Sequence, residues 1–362
     1  ATQRWQVTVA RPDGSRETLQ ANVLVSAAGL FNPPAWPAIE GLRDFAGPCF
    51  HTAEWREDVD LAGKRVAIIG NGASCMQIGP EIQHQVESLT IFQRGPHWAA
   101  PFPQFRKQVP EELRLLFREV PLYQAWYRLR LGWTFNDRVH ATLQKDPDWP
   151  HKERALNATN DAHRAYYTRY LQQELGDRQD LIDKVLPTYP PFGKRMLMDN
   201  GWYRMLRNPR VSLVDTRISH VEPDAVCTAD GERHEADVLV VATGFDVIHL
   251  LSTYEVVGRG GQTLREAWDG DNAQAYLGTV VPGFPNFFTL YGPNLQPGHG
   301  GSLIVVVEMQ VHYLMDMLRK MASGGLGAAE CRPEVLADYV GKVDEAHANM
   351  VWAHPGMSTY YR

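Results

Sequence analysis

The 362-residue sequence lacks several features that would place it in other protein classes. Its four cysteines are scattered and none form a CxxC pair, which excludes a dithiol redox centre and a disulfide framework. Apolar runs such as 238–242 and 303–307 are far too short to cross a bilayer. We therefore expect a cytoplasmic protein without a membrane span.

The charge balance excludes another class of partner. The chain has 36 Lys and Arg residues against 42 Asp and Glu residues, a net charge of −6, and no basic stripe stands out. Nucleic acid is therefore not an expected partner. We predict no metal site, because ligand spacing is missing from the isolated histidines, which we interpret as structural or surface residues: His84, His97, His140, His163, His299 and His312.

The most informative stretch is an apolar strand over 65–69 that leads into a glycine turn and a helix. Gly70 permits the tight turn, and Gly72 lets backbone N–H groups approach a pyrophosphate at the helix N-terminus. The third position, usually Gly or Ala, is Cys75. The alternative is a coincidental glycine-rich turn. The candidate pyrophosphate-binding residues are Gly70, Asn71, Gly72, Ala73, Ser74 and Gln77.

Cationic residues at two places in the sequence, Arg94 and the pair Lys194-Arg195, bear on which nucleotide binds. Arg94 follows the second predicted strand, 88–92. An acidic residue at this position accepts hydrogen bonds from the ribose hydroxyls of NAD or FAD, whereas an arginine pairs with a 2′-phosphate. This position favours NADPH, although a solvated arginine at the end of a strand is the alternative. Lys194 and Arg195 follow a proline-rich loop and are either functional or a solvated pair.

The domain pattern is interrupted by a helical segment. Apolar residues at helical spacing predict an insertion over about 97–185, broken at Pro121. We expect its aromatic side chains to pack in a core, with a membrane-facing surface as the alternative.

Two strands have similar surroundings. A buried strand over 21–28 ends at Gly29, and a second over 237–242 ends at Thr243 and Gly244. Their likeness predicts that segments on both sides of an inserted domain belong to one domain.

A motif before the glycine turn carries a family resemblance. Phe45, Gly47, His51, Thr52 and Trp55 fit the pattern FxGxxxHTxxW, although Arg56 stands where Pro or Asp is usual. The chain resembles the type I Baeyer–Villiger monooxygenases, flavoenzymes related to the flavin-containing monooxygenases. Within them it looks most like the 4-hydroxyacetophenone monooxygenase branch. The glycine turn, Gln93-Arg94, Lys194-Arg195, 242–244 and 292–294 follow in the family's order.

The resemblance implies the cofactors NADPH and FAD and, as substrates, O₂ and a small-molecule ketone, for which an aromatic ketone is one candidate. In the family, a C4a-peroxyflavin attacks the ketone carbonyl and an ester or lactone results. Arg94 and Lys194 would bind the 2′-phosphate, and Arg195 looks like the catalytic arginine. His51 would lie on the interdomain linker, and Gly29, Thr243, Gly244 and Asn294 are further cofactor-binding candidates.

The resemblance also predicts the fold: an α/β protein with two Rossmann-like dinucleotide-binding domains and the helical insertion in the NADP domain. The family's first GxGxxG fingerprint, which binds FAD, and the acidic partner of the catalytic arginine do not occur in this sequence. We therefore expect an incomplete FAD domain. The predicted ranges are 1–56 for the partial FAD domain and linker, 57–225 for the NADP domain, and 226–362 for the second FAD segment and C-terminal helices.

Two other functions remain open at this stage. An N- or S-oxygenating flavin-containing monooxygenase shares both nucleotide sites, although the FxGxxxHTxxW motif and Arg195 count against it. An inactive NADP-binding fragment belongs to a different class. The sequence indicates no oligomeric state.

Overall fold

The computed structural model describes residues 4–104, 107–299, 301–357 and 359–361. Residues 1–3, 105–106, 300, 358 and 362 lie outside the described ranges. They fall within the predicted domains, and 105–106 fall within the predicted helical insertion. The strands are β1 (Trp5–Ala10), β2 (Arg16–Ala21), β3 (Leu24–Ser26), β4 (Cys49–His51), β5 (Arg65–Ile69), β6 (Ser88–Phe92), β7 (Ala99–Pro101), β8 (Leu197–Asp199), β9 (Val211–Val214), β10 (Ile218–Glu222), β11 (Ala225–Thr228), β12 (Arg233–Glu235), β13 (Val238–Val241) and β14 (Phe287–Thr289). The helices are α1 (Ala73–Ile82), α2 (Glu111–Glu119), α3 (Tyr123–Phe135), α4 (Asp137–His140), α5 (Ala158–Leu175), α6 (Gln179–Val185), α7 (Trp202–Leu206), α8 (Leu264–Ala267), α9 (Leu303–Gly324) and α10 (Pro333–Ala348).

A parallel five-stranded sheet contains the strand before the glycine turn at its centre, in the order β4-β13-β5-β6-β9. All four residues of β13, and β5 after its first residue, are buried, as expected for a parallel sheet covered on both faces. Helix α1 connects β5 to its parallel neighbour β6. The predicted α/β class and the strand–turn–helix–strand unit are confirmed.

The predicted boundaries at 56/57 and 225/226 are wrong, because this sheet crosses both. Strand β4 comes from the predicted first segment and β13 from the predicted last one, and they pair with each other. Strand β13 also pairs with β5, with Val240 opposite Ile68. A short apolar strand followed by glycine looks the same in sequence whichever sheet it joins. The likeness of 237–242 to 21–28 therefore did not reveal their different partners.

Outside the central sheet, two short parallel pairs occur among the described residues, β7 with β8 and β3 with β14. The β3–β14 pair bears on the predicted first segment. It contains only three residues of the strand that we predicted over 21–28, and Val25 within it is exposed, so the expectation of a long buried strand is wrong. Beside this pair, Trp268, Phe284 and Phe287 are buried in a hydrophobic cluster separate from that of the central sheet. The described residues thus contain one five-stranded sheet and a separate two-stranded parallel pair.

The predicted helical insertion lies between the neighbouring strands β6 and β9, and its helices differ in burial. Leu171 and Leu175 of α5 are fully buried in the main core. In contrast, α2 and α3 have no buried residue, and Leu122 and Leu129 are 82% and 72% exposed. The expectation of core packing is wrong for α2 and α3. No helix in the described ranges is both long enough and apolar enough to cross a membrane.

Gly47 of the linker motif lies where the chain passes directly against β13. A Cβ placed at this position would be 2.3 Å from the carbonyl oxygen of Asp237 and 2.9 Å from the ring of Phe45. The backbone oxygen cannot move without disturbing the sheet, because Asp237 also donates its N–H to Arg65 at the start of β5. The motif therefore needs glycine here for steric reasons.

We expect Gly47→Ala to lower the free energy of unfolding by about 1–3 kcal/mol, the usual cost of overpacking a rigid contact. Urea denaturation followed by circular dichroism measures this change. Gly341→Ala is the matched control, because a Cβ on that α10 glycine meets nothing within 4 Å. A helix-interior alanine should raise stability by up to about 1 kcal/mol. Equal effects of the two substitutions would contradict the steric role of Gly47.

Candidate functional site

The glycine turn is held between two strands. Gly70 has a φ of 106°, and a Cβ there would lie 2.5 Å from the carbonyl oxygen of Ala242 at the end of β13. Its N–H donates to the carbonyl of Phe92 at 2.8 Å. Both the backbone conformation and the close approach therefore require glycine, and the turn is fixed at the carboxyl edge of the central sheet.

Helix α1 begins directly after this turn, with Gly72 as the residue before its first turn. Gly72 offers no side chain to cap the helix, so the first N–H groups, from Ala73 onward, stay available to a ligand. The positive end of the helix dipole lies at the same place. Gln77, in contrast, is exposed and its amide donates to the carbonyl of Ala73, so it contacts its own helix in this state.

Asn71 connects the turn to the loop that follows β6. It is buried, and its Nδ2 donates to Gln93 Oε1 at 3.0 Å and to the carbonyl of Gly95 at 3.1 Å. Gln93 in turn donates to the carbonyl of Lys184 at 2.8 Å. Asn71, predicted as a ligand contact, therefore has its amide N–H groups engaged in positioning the loop that carries Arg94.

Cys75 replaces the usual small third residue of the fingerprint without disturbing the helix. It is fully buried in the main core, and burial raises the pKa of its thiol. The close helix contact occurs one turn later, at Gly79, where a Cβ would lie 2.9 Å from Met205 Sδ of α7. The small residue that lets α1 approach its neighbour is Gly79, which the sequence pattern did not reveal.

Arg94, Lys194 and His97 form a cluster of positive potential beside the turn. Arg94 is exposed, and Lys194 lies with its Nζ 4.9 Å from the ring centroid of Tyr189. Burial and the charge of Arg94 lower the pKa of Lys194. Burial, Lys194 and Arg94, in that order, lower the pKa of His97 to about 4. Among the described residues, no ion pair with a carboxylate is found for either cation.

The environment of Arg94 and Lys194 bears on their two interpretations. Two neighbouring cations repel one another, and an anion between them offsets this repulsion. A solvated pair would have separated or found acidic partners, as Lys184 does with Asp215 at 3.2 Å. The geometry therefore favours an anion site next to the N-terminus of α1.

Arg195 lies in a different environment from its neighbour Lys194. Its guanidinium donates to the carbonyl oxygen of Pro297. Its charge acts on Tyr291 and Tyr361, whose pKa values are raised chiefly by burial, so both phenols are neutral at pH 7. Lys194 and Arg195 thus lie in different surroundings, although they are adjacent in the sequence.

The C-terminal segment packs over two loops near Arg195, one containing Gly193 and the other containing Gly298. A Cβ on Gly193 would lie 2.3 Å from Met357 Sδ, and a Cβ on Gly298 would lie 2.1 Å from a ring carbon of Trp352. The two glycines leave the space that these side chains fill. Residues 350–357 therefore position the loops before and beside Arg195.

Two crossings of the chain run side by side at the edge of the central sheet. The N–H of Ala35 donates to the carbonyl of Gly244 at 2.9 Å, and the N–H of Asp246 donates to the carbonyl of Pro33 at 2.9 Å. Thr243 Oγ1 donates to the carbonyl of Ala35. We call segments 33–35 and 243–246 the double linker. The predicted cofactor residues Thr243 and Gly244 belong to it.

His51 is buried against the double linker. Its Nδ1 accepts from the N–H of Ala53 at 3.1 Å, so a neutral ring carries its hydrogen on Nε2. That atom has no partner with full hydrogen-bond geometry among the described residues, although the Gly244 backbone lies close enough to raise the pKa of the ring. Burial has the larger effect and lowers it. A rearrangement of the linker would therefore change the environment of His51 directly.

The other motif residues are structural supports for this arrangement. Phe45 is buried in the cluster beneath the linker. Thr52 begins a short helical turn after β4, and the ring of Trp55 packs edge-on to Phe50 at 5.2 Å between centroids. The motif residues thus pack together where β4 meets β13. Among them, His51 presents its polar ring to the double linker.

Gly29 and Asn294 lie at turns of the smaller half. Gly29 follows β3 with a φ of 71°, and Asn294 is exposed with a φ of 62°. Gly29 also lines a small recess together with Pro33 and Asp246 of the double linker. These two positions are not brought together with Arg94 by any described contact.

A larger cleft of about 590 Å³ lies nearby, lined by residues between 246 and 271. Its charged groups satisfy one another: His249 lies 2.6 Å from Asp246 and 3.2 Å from Asp271, which also pairs with Arg265 at 2.6 Å. Arg94, Lys194 and Arg195 are not among the residues that line this cleft.

One group of side chains with metal-ligand chemistry occurs in the described residues, although the sequence predicted none. Cross-strand pairing places His220 opposite Cys227, and Glu222 lies on the same hairpin, with their ligand atoms all within 4.8 Å of one another. The carboxylate of Glu222 is already bound by Arg233 at 2.8 Å. The spacing in sequence could not show this group, because the strand register creates it.

Two histidines that the sequence indicated as structural or surface residues feel the charges of predicted site residues. The charges of Lys194 and Arg94 act on His97, and the charge of Arg195 acts on His299, whose ring lies 6.3 Å from that of His140. His97 follows Arg94 by three positions, so its place just after the end of β6 was a signal in the sequence. Nothing in the sequence connects His299 to Arg195, which is 104 positions away.

The chain was compared with known proteins. The family model described as flavin-binding monooxygenase-like matches residues 1–116. The relatives include an uncharacterized monooxygenase of Sinorhizobium fredii, 52% identical over 99% of this chain and 54% of its own length. A Baeyer–Villiger monooxygenase of Streptomyces coelicolor is 35% identical over 99% of this chain and 65% of its own length. An uncharacterized monooxygenase of Mycobacterium bovis is 30% identical over 99% and 68%.

Solved structures show the same fold. An open structure of cyclohexanone monooxygenase has a TM-score of 0.78 at 27% identity and covers 98% of this chain and 74% of that one. Steroid monooxygenase bound to NADP has a TM-score of 0.78 at 28% identity, covering 98% and 71%. The chain spans about half the length of the Sinorhizobium fredii relative.

The low pKa of His97 predicts a specific dependence of stability on pH. Because the folded pKa of about 4 lies below the usual 6.5, the unfolded chain binds the extra proton between these values, and stability falls as pH drops from 6.5 towards 4. We expect His97→Asn, which cannot titrate, to lose less stability over this interval than the unmodified chain. Urea denaturation at pH 7, 5.5 and 4.5 measures the difference. A parallel decrease in both proteins would contradict the assignment.

Proposed function

Because this chain belongs to the type I Baeyer–Villiger monooxygenases of the flavin-binding monooxygenase-like family, we propose that it is part of an NADPH- and FAD-dependent monooxygenase that converts a ketone to an ester or lactone. In this reaction one atom of O₂ enters the bond between the carbonyl carbon and its neighbour. The other leaves as water, and NADPH supplies the hydride. The separation of Lys194 and Arg195 into two cation sites is the observation that carries the proposal.

The first cation site fits NADPH. The N-terminus of α1 offers unpaired N–H groups to the pyrophosphate, and Gly70 keeps the backbone close to it. Arg94 and Lys194 lie together beside it, without a carboxylate partner in the described ranges. A 2′-phosphate between them would relieve their repulsion, which NADH cannot do.

FAD, when bound, supplies the redox chemistry that accepts the hydride and activates O₂. We propose that Gly29, Thr243, Gly244 and Asn294 contribute to its site, because the double linker and the β3–β14 pair lie there. Two short parallel strands do not make a complete dinucleotide-binding sheet. FAD binding by the described residues alone is therefore expected to be weak.

Arg195 is the proposed catalytic residue. Its guanidinium keeps its charge at any working pH, and the phenols of Tyr291 and Tyr361 beside it are neutral. A fixed positive charge in such surroundings stabilises an oxyanion that develops when a ketone carbonyl is attacked. A lysine would be a poorer choice, since burial lowers its pKa, as it does for Lys194.

The substrate and the setting are also proposals. We propose a small ketone, of which an aromatic ketone remains one candidate, because the resemblance to the 4-hydroxyacetophenone branch stays a prediction. Three of the four cysteines are buried and all four are free, which suits a reducing compartment such as the cytoplasm.

Two other functions are weighed against this one. In an N- or S-oxygenating enzyme, the oxygen acceptor is an amine or thioether, whose oxidation develops no oxyanion that needs Arg195. An inactive NADP-binding fragment would keep the Arg94–Lys194 site and need neither Arg195 nor the packing of residues 350–357 around it. Tests of the two cation sites therefore separate all three functions.

We expect Arg94→Ala and Lys194→Ala each to weaken NADPH binding about 10- to 100-fold while leaving NADH binding unchanged, since each removes a charge-assisted contact worth about 1.5–3 kcal/mol. Fluorescence titration of this chain with both nucleotides measures the affinities. Arg204→Ala is the control, because this exposed arginine pairs with Glu174 instead. Equal affinity of the unmodified chain for NADPH and NADH would refute the phosphate site.

We expect Arg195→Ala in the FAD-loaded full-length protein to reduce ketone oxidation by at least about 100-fold, because it removes the charge that stabilises the oxyanion. Oxidation of a thioether by the same variant should fall much less. Product formation from one ketone and one thioether, measured by gas chromatography, gives both rates. Unchanged ketone oxidation in the variant would rule out the proposed role of Arg195, and equal losses on both substrates would favour a general oxygenating enzyme.

A further inference from the structure

We propose that His220, Glu222 and Cys227 bind a Zn²⁺ ion on the polar face of the β10–β11 hairpin, with a water molecule at the fourth position. This site goes beyond the proposed monooxygenase function and does not depend on it. The comparisons and the sequence pattern assign nothing to these three residues.

The register of the hairpin places the three side chains on one face. His220 and Glu222 are two positions apart in β10, and Cys227 of β11 lies directly opposite His220. Residues two apart in a strand, and residues paired across two strands, point to the same face. Val221 and Val226 pair on the other face and are buried in a hydrophobic cluster. The polar face therefore carries a nitrogen, an oxygen and a sulfur ligand together.

A hydrogen bond determines which nitrogen of His220 is available to a metal. The hydroxyl of Ser219 donates to the carbonyl oxygen of Cys227 at 3.1 Å. Because that hydroxyl has a single hydrogen, His220 Nδ1–H donates to the serine oxygen in their 2.9 Å contact. In the neutral ring, Nε2 then carries the lone pair, and Nε2 is the atom that lies 3.7 Å from Glu222 Oε1. Metal-binding histidines have this arrangement, in which an oxygen holds one ring nitrogen and the other binds the ion.

Arg233 of β12 holds Glu222 by one oxygen and leaves the other free. Its Nε donates to Glu222 Oε2 at 2.8 Å, whereas Glu222 Oε1 is the oxygen that faces His220. The remaining guanidinium nitrogens pair with Asp224 and Glu235. Three carboxylates therefore share one guanidinium, and their excess negative charge favours a cation at this face.

The distances between the ligand atoms suit zinc. Zinc–ligand bonds of about 2.0–2.3 Å place the ligand atoms of a tetrahedral site about 3.4–3.6 Å apart. His220 Nε2 and Glu222 Oε1 are already 3.7 Å apart, and all three ligand atoms lie within 4.8 Å of one another. The side chains of His220 and Glu222 are 44% and 38% exposed, so they can turn towards the buried Cys227 without moving the strands. The same exposure gives water access to the fourth position.

The mixture of ligand atoms selects the metal. Mg²⁺ and Ca²⁺ prefer oxygen ligands throughout, whereas a thiolate and an imidazole suit Zn²⁺. When the ion binds, a bond from zinc to Sγ of Cys227 replaces the S–H bond, and the proton passes to solvent. The bound ion would connect β10 to β11 and stabilise the folded hairpin.

The first experiment uses Co²⁺ as a probe in the untagged chain, because its visible spectrum reports tetrahedral geometry and a charge-transfer band in the near ultraviolet reports a thiolate ligand. We expect one Co²⁺ to bind with both features, and Zn²⁺ to remove them by displacement. Cys227→Ser should lose the thiolate band. Cys331→Ser is the matched control, because both cysteines are free and 7% exposed, and it should keep the band.

A thiolate band that persists in Cys227→Ser would overturn the proposal, as would Co²⁺ binding by the unmodified chain without such a band. X-ray absorption at the zinc edge should show one sulfur at about 2.3 Å, with nitrogen and oxygen as the other ligands. Two or more sulfur ligands would mean that copies of the chain share the ion, which contradicts the site.

The second experiment measures Zn²⁺ affinity by competition with a chromophoric chelator. We expect Ser219→Ala, which keeps all three ligands, to weaken binding about 10- to 100-fold, the usual effect of losing the partner of a ligating histidine. His220→Ala should weaken it by more than about 100-fold, since it removes a ligand as well. Unchanged affinity in His220→Ala would refute the site.

Thermal denaturation provides a readout that does not depend on spectra. Zn²⁺ should raise the Tm of the unmodified chain and of Cys331→Ser, because it binds the folded hairpin. It should not raise the Tm of Cys227→Ser or of His220→Ala, a substitution at a partly exposed position that carries the test if the cysteine variant fails to fold. Equal shifts in the unmodified chain and in His220→Ala would show that Zn²⁺ binds elsewhere, and the proposal would fail.

Discussion

The contact between Gly70 and the carbonyl oxygen of Ala242 is the constraint on which the rest of the arrangement depends. It joins the nucleotide turn to the end of β13, so the N-terminus of α1 cannot move independently of the strand that leads into the double linker. The linker in turn holds Gly244 beside His51. A change in nucleotide occupancy at the turn therefore has a short, continuous path to the linker through backbone contacts.

The second organising feature is the division of two neighbouring cations. Lys194 lies over Tyr189, next to Arg94 and the turn, while Arg195 contacts Pro297 in the smaller half of the chain. Because the two residues are adjacent in the sequence, the proposed phosphate site and the proposed oxyanion site are linked through a single peptide unit. The proposed function needs this fixed geometry, because the nucleotide phosphate and the reacting ketone must be bound at the same time.

The sequence predicted local features well where a residue type has one physical purpose. Gly70 was predicted from the strand before it and the helix after it, and Arg94 from its place at the end of β6. Prediction from the sequence failed where contacts between distant segments determine the structure. The partners of β13 depend on which sheet accepts it, and the burial of α3 depends on what packs against Leu122 and Leu129. His299 meets the carbonyl of Phe135 only through the fold of the loop after β14, which no local pattern encodes.

The packing of Met357 against Gly193 has a chemical consequence. A thioether that fills the space over the Lys194–Arg195 loop is a site where oxidation adds a polar oxygen to a contact with no room for it. If the chain has the proposed function, uncoupling of reduction from substrate oxidation exposes this sulfur to reduced oxygen by-products. Loss of activity during turnover would then begin with displacement of the C-terminal segment, before any damage to the charged groups themselves.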